Sequence, residues 1–134
     1  MFNKEKALKI STITLSAVAV MDLIRGFMHT FNIMWASAYF AHIDPIPDSL
    51  ILMSSFGIAN LLSGFTYLLV LKKAKYLSPY LLGLIPFAYV LGIISLKVNN
   101  ITGESAFNGK YIMFVYLGIC ALVSIYYFIS AKKE

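Results

Sequence analysis

The sequence predicts an all-α membrane protein, an antiparallel bundle of four transmembrane helices. Three observations lead there. Of 134 residues, 60% are hydrophobic and 13% are charged, against about 25% charged in an average soluble domain. The apolar residues gather into four runs, at about 10–28, 49–71, 77–96 and 111–131. Each is near the roughly 20 residues needed to cross a hydrocarbon core of about 30 Å. Finally, basic residues cluster at the ends of these runs, where they set orientation and attract anionic lipid headgroups. The length suits one integral membrane domain, 1–134, with no internal repeat.

The first span, Ile10 to Met28, follows a short basic segment containing Lys4, Lys6 and Lys9. Ala17-Val18-Ala19 has the small-x-small form of a signal cleavage site, but the apolar run continues well past it, so the span is read as retained. From Thr30 to Asp48 the chain is aromatic and amphipathic, with Phe31, Trp35, Tyr39 and Phe40. Trp and Tyr prefer the headgroup layer, which predicts either a continuation of the first helix or a short interfacial helix. Asp44-Pro45-Ile46-Pro47-Asp48 ends that segment, and Asp48 or Ser49 is placed to cap the next helix.

Ser49 to Leu71 forms the second span and stops at Lys72-Lys73. Leu77 to Leu96 forms the third, with Pro79 near its start and Pro86 inside it, where the lost backbone donor predicts a kink. A polar loop from Lys97 to Lys110 leads to the fourth span, Tyr111 to Ala131, followed by Lys132-Lys133. With four spans, both termini share a side with the Lys72–Lys75 loop. That side carries eight basic residues, Lys4, Lys6, Lys9, Lys72, Lys73, Lys75, Lys132 and Lys133, against Lys97 and Lys110 opposite. The positive-inside rule then puts both termini in the cytoplasm.

The net charge of +5 therefore reflects topology. No continuous basic stripe with aromatic platforms is present, which argues against nucleic-acid binding. The single cysteine, Cys120, lies in an apolar run and admits no intrachain disulfide. Phosphate-loop, nucleophile-elbow and zinc-protease helix motifs are all absent from the sequence.

The chemistry concentrates near the end of the first span. Asp22, Arg25 and His29 fall at i, i+3 and i+7, on one helical face shared with Ser11, Thr14 and Val18. A charge near the bilayer centre costs about 2.5–3.5 kcal/mol on insertion scales, so such residues face a partner, a cavity or a ligand. The structural alternative is a local Asp22–Arg25 ion pair with His29 at the interface, eased by snorkelling of the arginine.

Asn60 is the second candidate, on a face of the second span shared with Gly57 and Gly64. Small residues admit a neighbouring helix, and the carboxamide can hydrogen-bond across the contact or serve as packing glue. Ser54 and Ser55 lie near the level of Asp22 and could partner it. His29, His42, Asp44 and Asp48 could supply metal ligands on the outer side, although their spacing matches no ligand motif. Asn100-Ile101-Thr102 is a formal glycosylation sequon. The tyrosines, Tyr67, Tyr89, Tyr116, Tyr126 and Tyr127 among them, read as interface anchors or packing, and no spacing selects a cofactor.

In size, and in placing an acid in its first helix, the chain is similar to the small multidrug-resistance exporters. It departs from them in the arginine one turn from that acid, and no longer motif assigns it to a family. The leading functional expectation is an accessory or ligand-binding membrane protein, with an intramembrane polar pocket of Asp22, Arg25, His29 and Asn60 opening to the outer side. A homo-oligomer or a membrane partner protein is compatible with it. The second expectation is a proton-coupled small-molecule transporter acting as a dimer, with Asp22 exchanging a proton beside Arg25. The third is a membrane enzyme using His29 as acid or base.

Overall fold

The computed structural model describes residues 3–101 and 109–132. It is all-helical, and four of its helices are long and apolar enough to cross a membrane. Helix α1 runs Lys4–Phe31, α2 is the short Ile33–Ala36, α3 is Pro47–Lys73, α4 is Ser78–Val98 and α5 is Lys110–Lys132. A π-helical turn, Ser37–Ala41, follows α2, and a 3₁₀ turn, Lys75–Leu77, precedes α4.

The helices overrun the apolar runs because polar ends can continue a helix once they are capped. Thus α1 begins at Lys4 rather than Ile10, where the Asn3 side chain accepts the Lys6 backbone N–H at 2.9 Å. Of the two alternatives for the aromatic segment, it is a separate short helical piece, set off from α1 at Asn32 and closed by His42 in the left-handed conformation, φ 50°. One expectation is corrected at the start of α3. Neither Asp48 nor Ser49 occupies the cap position; Ile46 does, with Pro47 opening the helix. Proline at the first helical position gives up a backbone donor that would have no intrahelical partner anyway. Ser49 instead donates from its hydroxyl to the Ile46 carbonyl at 2.9 Å, and Asp48 lies in the first turn, where its charge complements the helix dipole. Helix α4 continues through Pro86.

Helix α1 is the hub. It packs most extensively against α3, and also against α4 and α5, which pair with each other. Leu15 and Val18 of α1 join Leu82 and Ile85 of α4 and Tyr116 and Cys120 of α5 in one core. In α4, burial stops at Ile85, and Val90 to Val98 all lie exposed. The sequon falls across the edge of the described residues. Asn100 takes a left-handed conformation, φ 54°, and donates its N–H to the Lys97 carbonyl, while Thr102 lies outside them, as does Lys133.

Candidate functional site

The site exists because two backbones come close. A β-carbon added at Gly26 would meet the Leu61 backbone nitrogen at 2.8 Å and the Gly57 carbonyl at 2.9 Å. One added at Gly57 would meet His29 at 2.9 Å, and one at Gly64 would meet Leu23 Cγ at 2.7 Å. Only hydrogen fits at the first two of these positions. The close approach carries the Asn60 carboxamide of α3 onto the polar face of α1.

Arg25 is the centre of that face. Its Nη2 donates to Asp22 Oδ1 at 2.7 Å and to Asn60 Oδ1 at 2.9 Å. Both hydrogens of that nitrogen are thereby used, and the ion pair is end-on rather than a two-pronged fork. The acid is 5% exposed and the arginine side chain 29%. The guanidinium carbon lies 5.7 Å from the Phe56 ring centre and 5.9 Å from that of Tyr116, both within cation–π range. His29 is buried, with its ring 5.5 Å from Phe56.

Several polar atoms remain. Arg25 Nε, His29 Nδ1, Thr30 Oγ1 and Asn60 Nδ2 are buried and have no hydrogen-bond partner. Leaving such a group unpaired costs about 1–3 kcal/mol. Arg25 and His29 also line a cavity of about 300 Å³, at the small end of ligand pockets. Asp22, Arg25 and His29 are on its wall, with Met21, Ile24 and Met28 of α1, Phe40 of the π-helical turn, Phe56 of α3, Gly109 just before α5, and Ile112, Met113 and Tyr116 in the first half of α5. No α4 residue contributes.

The structure thus brings together Asp22, Arg25, His29 and Asn60. It sets Asn60 behind Arg25, however, not on the cavity wall. Ser55 is exposed and donates to the Ile51 carbonyl, so it is no partner of Asp22. Among the described residues, no three His, Cys, Asp or Glu side chains form a metal group, and His29, His42 and Asp44 are not assembled into one. Phe40 and Tyr116, which the sequence reads as interface aromatics or packing, are wall residues, as is Phe56, which the sequence reading does not name. Phe56 carried a signal: it precedes Asn60 by four residues and so shares its face. No protein-family model, curated protein or solved structure matches the chain.

Proposed function

We propose that this protein is a small polytopic membrane protein that holds a ligand in an intramembrane pocket floored by the Asp22–Arg25 pair. One observation carries the reading: unpaired, buried polar atoms of Arg25 and His29 belong to residues on the wall of a cavity that is otherwise apolar and aromatic. A purely structural ion pair needs no cavity beside it, and intramembrane ionisable residues are by default site candidates.

The bilayer setting has its own support. Exposed apolar side chains ring the four long helices, including Leu62 at 68%, Leu122 at 69% and Val98 at 74%, far beyond what water-facing surfaces ordinarily carry. Gly57 lies against His29 while Gly64 lies against Leu23, and Tyr80 of α4 meets Tyr127 and Phe128 of α5. Such pairings suit antiparallel neighbours. With eight basic residues against two, both termini belong in the cytoplasm, facing anionic headgroups, and the cavity lies toward the outer side. A cysteine at Asn3 should then react with a membrane-impermeant thiol reagent only after the cells are opened; labelling in intact cells would reverse the orientation.

Pocket occupancy is tested by filling it. Organic extracts of the purified wild type should contain a small lipophilic molecule by mass spectrometry, and Met113→Trp, with unchanged thermal stability, should lack it. Identical extracts would remove the reading. A substrate flux in proteoliposomes under a pH gradient would support the proton-coupled transporter instead. That mechanism requires Asp22 to part from a guanidinium 2.7 Å away in every cycle.

A further inference from the structure

We infer that the pocket takes an uncharged lipophile bearing a hydrogen-bond-accepting oxygen, of the ketone or quinone type, rather than an anion or a cation. This rests on the pocket reading above and goes beyond it by fixing the charge and polarity of the occupant.

Charge comes first. Arg25 is matched by Asp22 at 2.7 Å, and both line the cavity. An anion entering would be drawn by the guanidinium and repelled by the carboxylate at nearly the same range, while losing all its hydration. A cation meets the mirror image. Burying an ion without a dedicated partner is far costlier than burying a neutral carbonyl. The pair therefore penalises charge of either sign.

Polarity follows from the unused atoms. Arg25 Nε, unpaired on a residue of the cavity wall, can only donate. His29 Nδ1 donates or accepts according to tautomer. The unmet demand at this end of the bundle is for an acceptor. Phe56 and Tyr116, with Met113 and Ile112, supply a wall suited to a flat or ring-bearing body.

Four naphthalene probes of one shape test this: 2-acetylnaphthalene, 2-ethylnaphthalene, 2-naphthoate and 2-naphthylmethylammonium. Thermal unfolding of the full-length protein in neutral detergent is followed against probe mole fraction in the micelle, with Met113→Trp as the pocket-filled reference. The ketone should bind about tenfold or more tighter than the hydrocarbon, the ratio expected of one hydrogen bond to a charged donor. Both ions should bind more weakly than the ketone. In Asp22→Asn/Arg25→Met, which removes both charges together, the ketone's advantage should vanish. Should that variant not fold, the wild-type ranking still decides. A ranking led by the carboxylate or the ammonium, or equal binding of ketone and hydrocarbon, overturns the ligand class and leaves the pocket standing. If no probe shifts unfolding relative to the filled reference, the pocket reading falls and the ligand class with it.

Discussion

The two halves of α1 treat polar groups in opposite ways. In the first half, Ser11 donates to the Ala7 carbonyl, and nearby Ser124 and Ser130 of α5 donate to Pro79 and Tyr126 carbonyls, all at 2.8–2.9 Å. Around them Leu15, Val18, Leu82, Ile85 and Cys120 close a core, and among the described residues of this half only the Ser78 hydroxyl is buried without a partner. In the second half, four polar atoms of Arg25, His29, Thr30 and Asn60 are left unpaired, and Arg25 and His29 also line a cavity. Hydroxyls are cheap to bury because one carbonyl satisfies them, one turn back for Ser11 and Ser130 and on α4 for Ser124. A guanidinium and an imidazole need partners from elsewhere, and the α1–α3 contact provides only some of them. The first half satisfies nearly all its buried polar groups from within; the second leaves four polar atoms without a partner.

The contrast breaks most severely at the ion pair. Arg25→Gln leaves the Asp22 carboxylate, 5% exposed, without its charge partner. Removing one member of a buried pair costs about 3–5 kcal/mol, and the partial exposure of Arg25 puts the expected loss at or below about 3 kcal/mol. Unfolding in detergent should show it clearly, with a smaller loss for Asp22→Asn, since the long arginine can reach toward the surface. A loss confined to a few tenths of a kcal/mol would mean the acid is not held as described.

Next in size is the helix contact that assembles the site. Gly57→Leu should cost about 1–3 kcal/mol by overpacking, because even a β-carbon there would meet His29 at 2.9 Å. Gly118→Ala is the internal control, with nothing within 4 Å of the added carbon, and should leave unfolding unchanged. Equal behaviour of the two would place α3 away from α1. Smallest is Asn60→Leu, at about 0.6 kcal/mol, the average of interhelical hydrogen bonds in membranes. Its sharper effect should fall on ligand retention, through the orientation of Arg25, and retention unchanged from wild type would make Asn60 packing alone.

Much of this was readable without coordinates. Four apolar runs of spanning length translate directly into four long helices, since helix length and bilayer thickness share one scale. Asp22 and Arg25 were marked by the cost of charge at their depth, and Asn60 by the glycines on its face. The helix ends were not readable to the residue, because capping by Asn3 and entry at Pro47 depend on local geometry that apolar patterning ignores. Nor were Phe40 and Tyr116. With 10 Phe and 9 Tyr in the chain, aromatic residues occur on every side of the helices, and which of them turn inward depends on helix rotation about the α1–α5 contact. The left-handed turn at His42, which sets the segment carrying Phe40, has no glycine or asparagine to announce it.

The most direct test of the central claim, that the polar cluster is a site and more than a staple, is ligand retention in Asp22→Asn/Arg25→Gln. Replacing both partners strands no charge, so unfolding should return close to wild type, well above Arg25→Gln alone. Organic extracts of that stable double variant should nevertheless lack the molecule present in wild-type extracts. A double variant that is equally stable and carries the same molecule in the same amount would contradict the claim, leaving Asp22 and Arg25 as a structural pair beside an unrelated cavity.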